Sequence, residues 1–178
     1  SSGNVSVPAC TAALLAISCA SAPPRTATGE TFVLEGRLVV EGAHPFDRVI
    51  LLEDADGLEW PLDAGRLDYE MSLLEGHIAR ITCVSTGIRK GEGRLEVAGY
   101  TLGPIGGMMP VRGVIVNVAG APALEAEGGT VLLAGPLSEA VGEWKGHDAW
   151  VWGEEEGPSG GFDRVIEVGG FEVLGRKE

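Results

Sequence analysis

The sequence predicts an all-β protein built from two small antiparallel barrels in tandem. Three observations lead to this fold class: the second half of the chain repeats the outline of the first, apolar and polar residues alternate along the strand-like segments, and turn-forming residues are frequent. The 178 residues include 28 glycines and 10 prolines, which indicates many turns and therefore many short strands. With 44% hydrophobic and 22% charged residues, the composition is that of a globular protein.

The repeat is defined by glycine-containing positions that recur in the same order. Three markers recur with offsets of 70, 71 and 77 residues, namely the Gly-His pairs that end at His77 and His147, the closing glycines Gly99 and Gly170, and the opening glycines Gly36 and Gly113. Order is kept while the connections change length, as expected of a duplicated domain. Each copy has about 70 residues, a size at which a single hydrophobic core provides only marginal stability. We therefore expect each copy to be stabilised by contact with the other copy or with a partner.

The first copy predicts five strands with one short helix-like element. Alternation places these apolar positions on one face of the first strand: Phe32, Leu34, Gly36, Leu38 and Val40. The segment from Asp54 to Gly57 is a hairpin turn, because Asp-Gly supplies the positive φ that such turns require. The other elements, in chain order, are strands over 48–53 and 58–62, a helical or irregular stretch over 64–74, and strands over 77–84 and 94–102.

Five short strands with an element between the third and fourth resemble the OB-fold, a small Greek-key barrel. The resemblance covers residues 31–102 and again 110–174, and it implies two OB-like Greek-key barrels. A β-sandwich or one joint barrel would explain the same alternation and is the alternative fold. In the second copy we expect residues 121–128 to be a connection and residues 153–161 a long acidic hairpin tip, with Glu154-Glu155-Glu156 solvated. The predicted organisation is an N-terminal arm over 1–30, a first barrel over 31–103, a linker over 104–110 and a second barrel over 111–178.

The N-terminal arm resembles the end of a bacterial lipoprotein signal. A short apolar run over residues 12–18 leads into Cys19, and the stretch after it is rich in Ala, Ser, Thr and Pro. The resemblance implies lipid attachment at Cys19, a flexible tether and a location in the cell envelope, periplasmic or surface-exposed. The run is too short to span a bilayer, so a lipid anchor would be the membrane contact. The alternative is an ordered arm packed on a partner, with a Cys10–Cys19 disulfide; the third cysteine, Cys83, completes no zinc or redox motif.

Charge restricts the class of partner. The formal net charge is −13, with 26 acidic against 13 basic residues. Nucleic acid and anionic membrane surfaces would be repelled, because phosphate binding needs clustered basic residues. Cations, neutral ligands and other proteins remain as partners.

The three histidines suggest a metal site. His77 and His147 occupy equivalent positions at the start of a strand, and a period of two directs both toward the core ends of their barrels. They are interpreted first as structural histidines that close the barrels, without a cofactor. The alternative is copper held by His44, His77 and His147, with Met108, Met109 or an acid completing the site, since imidazole suits copper. Such a centre would support redox chemistry of the superoxide dismutase type.

Tryptophans late in the chain predict a contact surface. Trp150 and Trp152 share a strand face with Asp148, opposite the face of His147, and Trp144 lies just before them. If the His147 face is the core, these indoles lie on an outer surface, where such aromatics mark an interface. Burial between the two copies and stacking on a sugar ring are the other interpretations.

The sequence lacks the P-loop, dinucleotide-binding and His-Glu-x-x-His patterns that would indicate a particular chemistry. The sequence therefore favours a non-catalytic envelope protein that binds or supports other proteins, as a subunit of a larger or homo-oligomeric assembly. A copper-dependent redox enzyme is the opposing hypothesis.

Overall fold

The computed structural model describes residues 29–42, 47–84 and 94–176, and this part of the chain is an all-β structure. The strands of the first barrel are β1 (Thr31–Glu41), β2 (Val49–Glu53), β3 (Glu59–Asp63), β4 (Ile78–Val84) and β5 (Leu95–Leu102). The strands of the second barrel are β6 (Val111–Val118), β7 (Ala121–Ala126), β8 (Gly129–Ala134), β9 (His147–Glu156) and β10 (Arg164–Arg176). A short helix lies between the third and fourth strands of each barrel, α1 (Asp68–Ser72) after a 3-10 turn (Gly65–Leu67) and α2 (Ser138–Gly142).

Both sheets close into five-stranded barrels with the same topology. The strand order is β1-β2-β3-β5-β4 in the first barrel and β6-β7-β8-β10-β9 in the second. The predicted fold class of two tandem all-β barrels is therefore confirmed, and neither a sandwich nor one joint barrel is formed. One detail differs from the prediction: the pairs β3–β5 and β8–β10 are parallel, while the other neighbouring strands are antiparallel.

The two copies also agree in register. Gly36 of β1 pairs with Ala79, and Gly113 of β6 pairs with Ala149. A Cβ added to Gly36 would lie 2.3 Å from the carbonyl oxygen of Glu53, and the equivalent Cβ on Gly113 would lie 2.4 Å from a carbonyl oxygen of the next strand. Both opening glycines therefore mark a close approach of two backbones, where a side chain has no room.

The Gly-His pairs make matching turns at the start of β4 and β9. The Gly76 amide donates to the Leu38 carbonyl at 2.8 Å, and the Gly146 amide donates to the Ile115 carbonyl at the same distance. Both glycines have φ near +85°, a conformation that glycine adopts without a steric penalty.

The closing glycines follow a β-bulge in both copies. The register shifts after Thr82 in the β4–β5 pair, which leaves Ala98 extra, and between Val168 and Gly170 in the β9–β10 pair, which leaves Gly169 extra. A bulge bends its strand and increases the local twist, so both barrels turn at the same place in the last strand.

Two predictions about the second copy were wrong in detail, and one element was not predicted. Residues 121–126 form the strand β7 and not a connection; a two-residue turn at Ala119 and Gly120, with φ of +52° and +89°, leads into it. The acidic run Glu154–Glu156 belongs to β9, so the hairpin tip begins after it. The helix α2 was not predicted.

Each barrel encloses its own buried core. The fully buried side chains of the first include Leu38, Leu52, Met71 and Ile81, and those of the second include Ile115, Leu124, Val131 and Val141. Met71 and Val141 are the buried residues of the two helices, so each helix contributes one apolar side chain to the core of its barrel.

Candidate functional site

The histidines are placed beside tryptophans. The rings of His77 and Trp152 pack in a T-shaped arrangement at a centroid distance of 5.7 Å, and the rings of His147 and Trp144 do the same at 5.5 Å. The Nδ1 atom of His147 also lies 3.0 Å from the carbonyl oxygen of Trp144. The predicted third ligand, His44, lies outside the described residues. Across 29–42, 47–84 and 94–176, no group of three or more His, Cys, Asp or Glu side chains is arranged to hold a metal ion.

Trp150 is buried between the two barrels. Its side chain is 5% exposed and, together with Leu174 of β10, belongs to the same apolar cluster as the core of the first barrel. The expectation of an exposed indole was wrong for this residue, and burial between the two copies is what the structure shows. The physical reason is that the outer face of β9 is covered by the first barrel instead of by water.

A network of charged and aromatic groups surrounds Trp150. Arg112 of β6 binds Asp148 of β9 at 2.6 Å through Nη2 and 3.0 Å through Nε, and it reaches across to Glu70 of α1 at 2.7 Å. The Tyr100 hydroxyl donates to Glu70 and accepts a long hydrogen bond of 3.4 Å from the Trp150 indole. The guanidinium lies 5.8 Å from the Tyr100 ring centre and 5.9 Å from that of Trp150. One arginine thus joins a carboxylate of each barrel and faces an aromatic ring of each.

The network changes the proton affinity of its members. Burial raises the pKa of Tyr100 above its ordinary value, and the hydrogen bond to the Glu70 carboxylate raises it further. Burial alone would lower the pKa of Arg112, but the hydrogen bonds to Asp148 and the charge of Glu70 outweigh it, so the net shift is upward. The phenol stays neutral and the guanidinium stays charged, which makes this network a structural connection between the barrels.

Trp152 also takes part in the contact between the barrels. A Cβ on Gly170 would lie only 2.5–2.7 Å from atoms of the Trp152 indole. The indole therefore packs closely against the backbone of β10 while it makes a T-shaped contact with the His77 ring of the first barrel. The closing glycine of the second copy makes room for an aromatic side chain that the first copy lacks.

Trp144 is the member of the predicted tryptophan set that faces solvent. It is 45% exposed and lies after α2, where the chain turns into β9. The equivalent residue of the first barrel is Leu74, since the amides of His77 and His147 donate to the carbonyls of Leu74 and Trp144 respectively. Leu74 is fully buried. The second barrel thus exposes the indole of Trp144 at the position where the first barrel buries the side chain of Leu74 in its core.

Three of the residues that join the barrels were not identified from the sequence. Glu70, Tyr100 and Arg112 belong to no motif, yet comparing the two copies reveals a signal. Arg112 occupies the position of Glu35, and Trp150 that of Arg80, as their pairing in β1–β4 and β6–β9 shows. Two positions that are charged and exposed in the first barrel hold a cation and an aromatic residue in the second, which is the substitution expected where an outer face becomes covered.

The first barrel carries an open groove between β1, the start of β4 and the β2–β3 hairpin, next to Glu35, the counterpart of Arg112. It has a volume of about 440 Å³, and its charged or apolar lining includes Glu35, Arg37, Glu53, Asp54, Asp56 and Ile78. Four of these side chains are carboxylates. Asp54 accepts hydrogen bonds from the Trp60 indole N–H, at 3.0 Å, and from the Leu58 amide, and these bonds lower the pKa of its carboxyl group. The groove is therefore acidic.

Cys83 is a free, fully buried cysteine of the first core. Burial raises the pKa of its thiol to about 11, so the thiolate is disfavoured. It is a packing residue and not a nucleophile. The predicted lipid-modified residue Cys19, and Cys10, lie outside the described residues.

Neither five-residue helix of the described chain has the length and hydropathy needed to cross a membrane. Comparison of the whole chain with protein-family models and with curated proteins finds no match.

Proposed function

We propose that this protein is a non-catalytic subunit of the bacterial cell envelope that acts through contacts with other protein chains. The observation that carries the proposal is Trp144, an indole 45% exposed at a corner where the same fold, in its first copy, buries a leucine. Tryptophan is enriched among the residues that contribute most to protein interfaces, and burying the exposed part of this indole against a partner would be favourable.

The charge of the protein supports the same class of partner. A net charge of −13 disfavours nucleic acid and anionic lipid surfaces, and it leaves proteins with basic or apolar surfaces as the better partners. The contact between the barrels supports the proposal in a second way, because it fixes Trp150 and Trp152 inside the chain and leaves Trp144 as the exposed indole of the three.

The experiment is to purify the full chain from its native envelope in mild detergent and to measure the mass of the complex by light scattering. We expect a mass well above that of one chain, and a Trp144→Ser variant that shifts toward the single-chain mass. Val118→Ser is the matched control, since Val118 is a 37% exposed apolar residue elsewhere on the second barrel, and it should leave the complex unchanged. A wild-type protein that is recovered as a single chain would overturn the proposal.

The envelope location is part of the proposal and is tested separately. Replacing Cys19 by Ala removes the sulfur to which a lipid would be attached. We expect the wild-type chain to sediment with membranes and the Cys19→Ala chain to remain in the soluble fraction. Equal distribution of the two would contradict lipid anchoring, while the mass measurement above would stand.

Elemental analysis of the same purified sample tests the copper hypothesis. About one copper per chain, lost in His77→Ala and His147→Ala variants, would favour the redox enzyme over the proposed contact function. Purified protein with no bound metal would leave the contact function as the better account.

A further inference from the structure

The helices α1 and α2 occupy the same place in the two barrels. Met71 and Val141 are their buried residues, and the amides of Leu74 and Trp144 donate to the carbonyls of Met71 and Val141 respectively. The residues of the two helices are therefore equivalent at the same offset of 70 positions that separates the two Gly-His pairs. Each side chain of α1 thus has a counterpart on α2.

One side of α1 is in contact with the second barrel. Residues four positions apart lie on the same side of a helix, and Glu70 of α1 and Leu74 just after it are spaced in this way. Glu70 binds Arg112 at 2.7 Å, and Leu74 is fully buried in the apolar cluster that also contains Trp150 of the second barrel. An arginine and a tryptophan of the second barrel therefore lie against this side of α1.

The counterpart of this side on α2 is open to solvent. It carries Leu137 at the N-cap, Ala140 within the helix and Trp144 just after it, at the helical spacing of three and four residues. Leu137 is 39% exposed and Trp144 is 45% exposed. We name these three residues the α2 row. The same side of the helix is thus a contact surface in the first barrel and an exposed apolar surface in the second.

Acidic side chains border the α2 row. Glu139 and Glu143 are exposed, and at 3.6 residues per turn they lie on the side of α2 that faces away from the buried Val141. Lys145 is also exposed, so carboxylates outnumber the ammonium group by two to one in this region. The centre of the row, Ala140, is apolar. The α2 row therefore combines an apolar centre with an edge that is acidic on balance.

We propose that the α2 row binds a different protein chain whose contact surface has an apolar centre and arginine or lysine side chains at its edge. The inference rests on the proposed contact function and specifies the chemistry of its partner. The apolar centre would bury the exposed indole, and the basic side chains would pair with Glu139 and Glu143. An arginine already pairs with a carboxylate of α1 in the first barrel. A second copy of this chain is disfavoured as the partner, because two chains with a net charge of −13 each repel one another.

The first test reverses charges at the edge of the α2 row in the complex purified from the envelope. For the double variant Glu139→Lys/Glu143→Lys, we expect the protein concentration at which half of the complex dissociates, followed by light scattering, to rise at least tenfold. Lys145→Glu should lower this concentration, because it removes a cation beside the binding carboxylates. Both effects should shrink as the salt concentration rises. An unchanged or tighter complex for the double variant would overturn the inference.

Glu154→Lys/Glu156→Lys is the matched control, since these exposed carboxylates belong to β9 and their replacement changes the net charge by the same amount. We expect it to dissociate as the wild type does; an equal loss in the control would overturn the inference, because net charge alone would then explain the effect. Glu139→Gln/Glu143→Gln is the second variant, in case lysines disturb the short helix, and it should weaken the complex in the same direction. Far-ultraviolet circular dichroism shows whether each variant keeps the fold.

The second test identifies the chains of the purified complex by mass spectrometry after denaturation. We expect a second kind of chain beside this one, and a complex that contains this chain alone would overturn the inference while the proposed contact function stands. The same holds if the complex depends on Trp144 but is indifferent to Glu139 and Glu143. A wild-type protein recovered as a single chain would overturn both proposals.

Discussion

Gly36 and Gly113, 77 positions apart, occupy one and the same structural position in the two barrels. Each passes so close to a neighbouring strand that an added Cβ would lie 2.3 or 2.4 Å from a carbonyl oxygen. Because the obstacle is backbone, it cannot move aside as a flexible side chain would. We expect Gly36→Ala and Gly113→Ala each to lower the free energy of unfolding by about 3 kcal/mol, measured by urea denaturation.

Gly99→Ala is the control for this pair. Gly99 lies in β5 with nothing within 4 Å of an added Cβ. An alanine there should be neutral or stabilise by about 0.5 kcal/mol, because it restricts the unfolded chain. Equal losses at all three glycines would show that the close approach at Gly36 and Gly113 is not what requires glycine.

Arg112→Met tests the connection between the barrels. The variant leaves the carboxylates of Glu70 and Asp148 close together without their cation. Breaking a fully buried pair costs about 3–5 kcal/mol; Arg112 is 34% exposed, so we expect about 2 kcal/mol after solvent screening. Unfolding followed by tryptophan fluorescence and by circular dichroism should also cease to coincide, because the two barrels lose part of their coupling.

Arg80→Met is the matched control, since Arg80 and Glu35 form the ion pair at the equivalent place in the first barrel. That pair is 4.0 Å long and about two thirds exposed, so its loss should not change stability measurably. A similar loss for both arginines would contradict a special role for Arg112.

Trp150→Ala and Trp144→Ala make the same chemical change in opposite environments. Trp150 is 5% exposed and packs with the first core, so its truncation should cost about 3–4 kcal/mol. Trp144 is 45% exposed, and its truncation should change the stability of the isolated chain by about 0.5 kcal/mol or less. Thermal unfolding monitored by calorimetry measures both. A large loss for Trp144 would indicate a structural role and weaken its assignment as a contact residue.

Tyr100 should make the protein sensitive to alkaline pH. Burial first, and then the Glu70 carboxylate, raise the pKa of the phenol in the folded state above the value of about 10 that it has when unfolded. Its contribution to stability is therefore complete below about pH 10 and is lost as the pH rises above it. We expect Tyr100→Phe to flatten the decrease in the free energy of unfolding above about pH 10.

The other tyrosine serves as the comparison for this experiment. Tyr69 is 59% exposed on α1, so Tyr69→Phe should leave the alkaline profile of the wild type unchanged. If both variants flatten the profile equally, the effect does not come from the buried phenol of Tyr100.

Alternation predicted β1 well because that strand has one face toward a core and the other toward water. Leu38 is fully buried while its neighbour Arg37 is exposed, so the period of two is visible in the sequence. The strand β9 shows the same period, but both of its faces are covered, one by its own core and one by the first barrel. The sequence showed that Trp150 faces away from His147, but a single strand cannot reveal what covers its outer face.

The strand β7 was missed for a different reason. Its sequence from Ala121 to Ala126 contains a proline and three alanines, residues with little preference for strands, and pairing with β6 and β8 overrides that local preference. Burial of the tryptophans between the copies was one of the interpretations, but Glu70, Tyr100 and Arg112 were missed because the members of the contact come from four distant segments. The sequence did contain one signal of the contact: equivalent positions of the two copies carry different residue types, such as Glu35 in the first copy and Arg112 in the second.

The parallel pairs that close the barrels differ in length. In the first barrel the pair β3–β5 joins at Leu62 with Leu95 and at Asp63 with Glu96, while β8–β10 is paired over four residues. Stability is not uniform within a fold, and segments with few protecting contacts open first. We therefore expect the first barrel to open transiently between β3 and β5. The backbone amides of β5 should then exchange their hydrogens with solvent earlier than those at the start of β10.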